Sequence, residues 1–178
     1  MSGGRLGRVP FLAVTACGLG CMRPASGTWG SLPPVVLAAG MLALGTPLWQ
    51  VHASVVLLGV AGAVACLRFG AAAEAAFGGK DPGRVVADEV AGQAIVVAGL
   101  PLAWLQGPPL AGGLSGRQAA ALAAAFVLFR VMDVVKPPPA AGLQRIRGGA
   151  GILVDDLVAG AYALAALWLL GPLLGALR

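Results

Sequence analysis

The chain has 178 residues, of which 58% are hydrophobic and only 11% are charged, and its formal net charge is +5. With a mean hydropathy of +0.88, this composition is typical of a membrane protein, and the length fits a single domain over residues 1–178. Three unpatterned cysteines and one histidine exclude a disulfide framework, a cysteine–histidine metal site and a histidine-based catalytic triad. No nucleic-acid partner is expected.

Apolar runs indicate where the helices lie. They cover approximately 32–49, 51–67, 90–105, 118–135 and 152–174. Each run is near the lower end of the roughly 20 residues that span the hydrocarbon of a membrane. The sequence therefore predicts an all-α fold, a small multi-helix bundle that is integral to the membrane through four or five short hydrophobic helices.

The basic residues orient this bundle. If five helices span the membrane and the N-terminus lies inside, ten of the 12 lysines and arginines fall on the cytoplasmic side. Only Arg117 and Arg178 fall on the opposite side. All seven acidic residues lie on or just inside the same cytoplasmic face, so we expect a functional site there.

The first cysteine opens a segment that matches a known phosphatase spacing. Cys17 and Arg23 satisfy the C-x5-R pattern, in which a thiolate attacks phosphorus and an arginine holds the phosphate oxygens. Such a loop normally follows a strand of a soluble sheet, and the apolar runs predict no such sheet. We therefore interpret the match as coincidence.

The next segment, Pro24–Pro34, is rich in small residues and predicts a loop before the first apolar run. It could be an interfacial turn that Trp29 anchors in the membrane surface. It could instead bind a phosphate through the hydroxyl groups of Ser26, Thr28 and Ser31. The sequence leaves both interpretations open.

Acidic residues mark the start of the third apolar run. Asp81 and Pro82 form a helix-start signal, in which aspartate caps the helix and proline takes its first position. Asp81 could serve only as this cap. Asp88 and Glu89 follow at the border of the apolar run, where carboxylates are costly. They predict either a structural network with nearby arginines or a bound divalent cation.

A second charged segment precedes the last apolar run. Arg130, Asp133 and Lys136 are spaced three residues apart, so they lie along one side of a helix. Three prolines follow immediately, and proline ends a helix because it lacks the amide donor. Lys136 should therefore lie at the end of its helix.

The chain then enters a basic, glycine-rich stretch, Arg147–Gly151, which predicts a link whose amides could face an anion. Asp155 and Asp156 lie near the start of the helix that follows. A cation at the end of one helix is thus predicted to face two carboxylates at the start of the next.

Carboxylates gathered on one face of a small bundle would repel each other unless a cation neutralised them. A magnesium ion would do so, and the adjacent lysine and arginines suit an anionic substrate such as a phosphate. The residues alone therefore predict metal-assisted phosphoryl chemistry at the cytoplasmic membrane surface. The alternative is a non-enzymatic transporter or scaffold, which would distribute its carboxylates at several depths.

Three blocks of the sequence resemble the phosphatidylglycerophosphatase A family. They are SGTWGSLPP from Ser26, KDPGRVVADEVAGQ from Lys80, and FRVMDVVKPPP with RGGAGILVDDLVAGAYA. The resemblance implies an all-helical, Mg²⁺-dependent phosphatase of the bacterial inner membrane. Its substrate would be the lipid phosphatidylglycerophosphate, hydrolysed to phosphatidylglycerol and phosphate, and the oligomeric state is left open.

With this resemblance, individual residues of these segments receive expected roles. Metal ligands are expected at Asp81, Asp88, Glu89, Asp155 and Asp156. Catalytic roles are expected for Asp88, Asp133 and Lys136, with Asp133 either a further ligand or the general base. Contacts to the phosphate are expected from Thr28, Arg130, Lys136 and Arg147.

Overall fold

The described part of the chain folds as a helical bundle, which confirms the predicted all-α class. A computed structural model describes residues 6–107, 113–138 and 148–175. The α-helices in these ranges are α1 (Arg8–Val14), α2 (Ser26–Ala43), α3 (Leu48–Phe77), α4 (Ala87–Ala98), α5 (Leu102–Leu105), α6 (Gly116–Val135) and α7 (Gly149–Gly175). A short 3₁₀ helix, Leu19–Cys21, follows α1.

Three of the described helices are long and apolar enough to cross a membrane. These are α3 with 30 residues, α6 with 20 residues, and α7 over Gly149–Gly171 with 23 residues. The predicted four or five spans are therefore too many. The run 90–105 is divided between α4 and α5, because Gly99 and Pro101 interrupt it. Helix α2 has 18 residues, but it begins with the polar segment SGTWGS, which leaves too few apolar residues.

The short helix α4 lies at the centre of the bundle, in contact with α2, α3, α6 and α7. Nine of its 12 residues are buried. Its first turn carries Asp88 and Glu89 at the positive end of the helix dipole. Because the longer helices surround α4, these carboxylates enter the interior of the protein without facing lipid.

The outer surfaces of the long helices are apolar. Helix α3 exposes Val56, Leu57, Val60, Val64 and Leu67, and α6 and α7 expose similar aliphatic side chains. A continuous exposed apolar surface of this kind suits contact with lipid tails rather than with water. Together with the three candidate spans, it shows a protein that associates with a membrane.

Helices α3 and α7 pack closely at two glycines. A Cβ atom on Gly149 would lie 1.9 Å from the carbonyl oxygen of Cys66, and one on Gly70 would lie 2.5 Å from the Gly149 Cα atom. Gly149 and Gly151 belong to the first turn of α7, where the Gly151 amide donates to the Gly148 carbonyl at 2.9 Å. The predicted glycine-rich link is therefore wrong over these residues, since both are helical and Gly149 lies at the close contact between α3 and α7.

Replacing Gly149 with alanine should destabilise the bundle, because the added Cβ overlaps the Cys66 carbonyl and forces α3 and α7 apart. We expect a loss of about 1–3 kcal/mol in the free energy of unfolding, measured as a lower thermal midpoint in detergent micelles. Gly40→Ala is the matched control, since Gly40 lies in α2 with no atom within 4 Å of its added Cβ. Equal midpoints for the two variants would contradict the close packing at Gly149.

Candidate active site

Three carboxylates from two helices meet inside the bundle. Asp88 and Glu89 come from the first turn of α4, and Asp156 comes from α7. One oxygen atom of each residue lies within 4.8 Å of the others. Asp88 and Asp156 are only 5% and 3% exposed, so these charges are held away from water.

Each of the three residues has a buried oxygen without a hydrogen-bond partner: Asp88 Oδ1, Glu89 Oε2 and Asp156 Oδ2. Burial, followed by the charge of Glu89, raises the pKa of Asp88 well above its usual value. Burial likewise raises the pKa of Glu89 to about 7. A divalent cation among the oxygens would offset both the burial cost and the repulsion, and an all-oxygen donor set suits a hard ion.

Two glycines bring these carboxylates together by letting α4 and α7 touch. Gly92 lies one turn beyond Asp88, and Gly160 lies one turn beyond Asp156. A Cβ atom on Gly92 would lie 2.5 Å from the Asp156 carbonyl oxygen. One on Gly160 would lie 2.5 Å from the Gly92 carbonyl oxygen. A larger residue at either position would separate the helices and the carboxylates with them.

A second charged group lies at the end of α6, with the spacing that the sequence predicts. Arg130 Nη1 donates to Asp133 Oδ2 at 2.6 Å, and Lys136 Nζ lies 3.9 Å from Asp133 Oδ1. Helix α6 ends at Val135 with Lys136 as its C-cap, which confirms the predicted helix end. Lys136 also donates to Asp155 Oδ2 at 2.5 Å, so it links α6 to α7.

The link between Lys136 and Asp155 fixes the charge of the lysine. Partial burial by itself lowers the pKa of Lys136, but the hydrogen bond and the charge of Asp155 raise it more. The net pKa lies above the ordinary value, so Lys136 is a cation at neutral pH. Asp155, which is 2% exposed, thus has a positive partner, and it is not one of the three carboxylates grouped with Asp88.

The two charged groups meet at the start of α2. A Cβ atom on Gly27 would lie 2.5 Å from Glu89 Oε1 and 3.0 Å from Arg130 Nη1. Arg130 also donates to Ser31 Oγ at 3.4 Å, and Ser31 Oγ in turn donates to the Gly27 carbonyl at 2.8 Å. The guanidinium and the carboxylate therefore share the space that the missing side chain of Gly27 leaves open.

The segment Ser26–Ser31 forms the first turns of α2 and not the predicted loop. Ser26 Oγ donates to the Gly83 carbonyl, and Ser31 is fully buried. Thr28, the predicted phosphate contact, is half-buried in the first turn of the helix. Two of the three hydroxyl groups thus hydrogen-bond within the protein, and Thr28 directly follows Gly27 in the chain.

Asp81 lies outside the group of three carboxylates. Helix α4 begins at Ala87, so the prediction that Asp81 caps a helix is wrong. Asp81 is exposed and has a positive φ of 48°. With Lys80 it lines a cavity of about 280 Å³ against Gly151 and Ile152, which places it at the rim of the site beside the start of α7.

Sequence reasoning missed the three glycines that bring the charged groups together, Gly27, Gly92 and Gly160. A signal for two of them is the pattern D-x-V-A-G, which ends at both Gly92 and Gly160. A glycine one turn after an acid on each of two helices is consistent with a close crossing beside those acids. Arg147, a predicted phosphate contact, lies outside the described residues.

Comparison with known proteins decides the family. The family model described as phosphatidylglycerophosphatase A matches residues 12–171. The chain belongs to the phosphatidylglycerophosphatase A family. This finding confirms the predicted resemblance and the predicted enzyme class, a phosphoric monoester hydrolase, in place of a non-enzymatic transporter or scaffold.

Individual relatives cover most of the chain. A phosphatidylglycerophosphatase A of Haemophilus influenzae is 33% identical over 161 residues, 89% of this chain and 85% of the relative. One of Escherichia coli is 32% identical over 148 residues, 82% and 73% of the two chains. A putative phosphatidylinositol-3-phosphatase of Bacteroides thetaiotaomicron is 33% identical over 170 residues, 92% and 96% of the two chains. No solved structure matches the chain significantly.

Replacing Gly27 with alanine should lower phosphatase activity strongly and the free energy of unfolding only slightly. The added Cβ would contact the ends of Glu89 and Arg130, which can shift at small cost but then leave their positions in the site. We expect phosphate release to fall at least about tenfold, because small displacements of catalytic groups are costly. Gly116→Ala, with no atom within 4 Å of the added Cβ, is the control. Full activity in Gly27→Ala would place this space outside the site.

Proposed function

We propose that this protein is a Mg²⁺-dependent phosphatase that hydrolyses phosphatidylglycerophosphate to phosphatidylglycerol and phosphate. The observation that carries the proposal is the group of Asp88, Glu89 and Asp156, which has unpaired buried oxygens and whose Glu89 carboxylate lies beside Arg130 of α6. Metal-assisted hydrolysis of a phosphate ester uses carboxylates to hold the metal ion and positive side chains to hold the phosphate. The names of the relatives from Haemophilus influenzae and Escherichia coli support this lipid as the substrate.

Asp88, Glu89 and Asp156 would hold the metal ion. Their oxygen donors suit Mg²⁺, and their buried, unpaired atoms fit the need for a positive partner. When bound, Mg²⁺ supplies Lewis-acid catalysis: it offsets charge on the phosphate and makes water a better nucleophile. Asp155, which contacts Lys136, and Asp81, at the rim, would contribute from farther out.

Arg130 and Lys136 would bind the phosphate oxygens. Asp133 and Ser31 hold Arg130 in place, and Asp155 holds Lys136 in place. Donors that are already positioned stabilise the charge on the phosphoryl oxygens without first having to reorganise. The contacts that fix Arg130 and Lys136 would therefore contribute to catalysis.

Asp133 would either accept a proton from the attacking water or serve as a further metal ligand. It is 8% exposed, and its two oxygens face Arg130 and Lys136, which hold the carboxylate in one orientation. Thr28, which follows Gly27 in the first turn of α2, would donate a hydrogen bond to the phosphate, and we propose the same role for Arg147.

The site lies at one end of the candidate spans, since α6 ends at Val135 and α7 begins at Gly149. A lipid headgroup could therefore reach the site while the lipid tails stay in the bilayer. The described basic residues on this side include Arg23, Lys80, Arg84, Arg130 and Lys136. Arg117 lies at the opposite end of α6. By the positive-inside rule, the site faces the cytoplasm from the bacterial inner membrane.

The Bacteroides thetaiotaomicron relative favours a second candidate substrate, phosphatidylinositol 3-phosphate. Both lipids carry a phosphomonoester on a headgroup that a phosphodiester joins to diacylglycerol. The values of kcat/KM for the two lipids, measured on the wild-type protein, separate the candidates. We expect the larger kcat/KM for phosphatidylglycerophosphate.

Replacing Asp156 with asparagine should abolish phosphate release from phosphatidylglycerophosphate, because one of the three carboxylates that would hold the cation is lost. Changes to residues that only support a metal ligand cost about 10–100-fold, so we expect a loss of at least about 100-fold. Calorimetry should show weaker Mg²⁺ binding, and Asp88→Asn should behave in the same way. A chelator should stop the wild-type enzyme.

Cys17→Ala is the control for this experiment. Cys17 is exposed and begins the C-x5-R segment, outside the carboxylate site, so the variant should keep its activity. If the wild-type protein hydrolysed the lipid without metal, and Cys17→Ala lost that activity, a thiolate mechanism would replace the one proposed.

Mg²⁺ affinity should weaken as the pH falls below about 7, the pKa to which burial raises Glu89. A raised pKa means that Glu89 keeps its proton below this pH, and the proton must leave before the carboxylate binds a cation. The need to release the Glu89 proton should by itself raise the Mg²⁺ concentration for half-maximal activity by up to about tenfold for each pH unit below this value. Metal titrations at several pH values measure the effect, and a constant half-maximal concentration would contradict it.

A further inference from the structure

An open groove beside the site has no part in the hydrolysis described so far. Its volume is about 920 Å³, and it lies between the turn before α2 and the segment before α4. Phe11 and Phe77 form an apolar wall, with their ring centroids 6.2 Å apart and their rings nearly perpendicular. Arg23 and Arg84 supply the charge of the groove.

The groove has the composition of an anion-binding site. Among the described residues that line it are two arginines and no carboxylate. The Arg84 guanidinium lies 5.6 Å from the centre of the Phe77 ring, a cation–π contact that keeps it at the wall. The arginines therefore attract an anion that enters this groove. Unlike an anion at the nearby carboxylate site, it contacts no carboxylate among the lining residues.

Close contacts fix the two sides of the groove relative to each other. A Cβ atom on Gly20 would lie 2.1 Å from the Arg84 carbonyl oxygen, so the two backbones touch there. Ser26 Oγ donates to the Gly83 carbonyl and joins the start of α2 to the same segment. The backbone positions of the arginines are thus set before a ligand binds, which lowers the cost of binding.

The start of α2 borders both the groove and the carboxylate site. Ser26 lines the groove, and the next residue, Gly27, marks the space where Glu89 and Arg130 meet. A molecule with two phosphate groups on a short linker could place one group at the carboxylate site and the other between the arginines.

The rim of the groove is apolar. Met22, which lines the groove, is 41% exposed, and Val9 and Leu12 of the adjacent α1 are 71% and 48% exposed. Apolar chains attached to an anion in the groove could leave over this rim toward the lipid phase. Charge and rim together fit an anionic phospholipid better than a soluble anion.

We infer that the groove binds the phosphodiester of the lipid substrate between Arg23 and Arg84, while the phosphomonoester to be cleaved lies at the three carboxylates. This inference rests on the proposed function, since it takes phosphatidylglycerophosphate as the substrate. It makes the two arginines specificity-determining residues. They favour lipids whose terminal phosphate is separated from diacylglycerol by a phosphodiester-linked headgroup.

The kinetic test compares the wild-type protein, the Arg23→Gln/Arg84→Gln double variant, and Arg68→Gln, an exposed arginine of α3 outside the groove. The substrates are phosphatidylglycerophosphate in mixed micelles and p-nitrophenyl phosphate, which has no phosphodiester. In the double variant, the ratio of kcat/KM for the lipid to that for the small ester should fall at least about tenfold, mainly through KM. Arg68→Gln should keep the wild-type ratio.

A binding test needs no turnover. Short-chain phosphatidylglycerol carries the phosphodiester and lacks the phosphomonoester, and calorimetry on the full chain in detergent measures its Kd. We expect the Kd to rise at least about tenfold in the double variant and to stay unchanged in Arg68→Gln.

An unchanged ratio and an unchanged Kd in the double variant would overturn the inference and leave the proposed function intact. An equal loss in Arg68→Gln would also overturn it, since it would indicate general attraction to a charged lipid surface. If the wild-type protein released no phosphate from phosphatidylglycerophosphate, the proposed function would fail, and the calorimetric Kd values would still decide the role of the groove.

Discussion

The structure depends on holding three largely buried carboxylates close together. Asp88 and Glu89 on α4 and Asp156 on α7 repel each other at this range, so loosely packed helices would let them separate. Gly92 and Gly160 prevent this, because the two backbones touch one turn away from the acids. Close packing of apolar helices thus maintains an arrangement that the charges themselves oppose, and a bound cation would remove that opposition.

The cations of the site depend on the same packing, although they come from a different helix. Lys136 leaves α6 in a left-handed conformation, with a φ of 45°, and contacts Asp155 on α7. Arg130 stays within α6, where Asp133 and Ser31 hold it. The groups proposed to bind the phosphate are therefore held by contacts among α2, α6 and α7. Substrate binding thus depends on the packing of these helices.

Local sequence signals predicted more of this arrangement than long-range ones. The prolines after Lys136 gave the correct end of α6, because proline acts on its immediate neighbours. Local signals failed where packing overrides them: Gly149 and Gly151 are helical against α3, and Ser26–Ser31 is helical beside the charged groups. The sequence also does not show which partner each of two adjacent acids contacts. Neighbouring helical residues point about 100° apart, which is why one acid of the pair in α7 meets a lysine and the next joins the carboxylate group.

The enclosure of α4 has a consequence for how the protein is made. This helix has 12 residues, too few to span a bilayer, and the two carboxylates of its first turn are costly to place in hydrocarbon. It therefore settles in place only together with the longer helices that cover it. Because α7 follows α6 in the chain and supplies Asp156, the cation-binding group is completed only after this helix has entered the membrane. Chains halted earlier in synthesis thus hold no assembled centre, and activity begins only when insertion has reached α7.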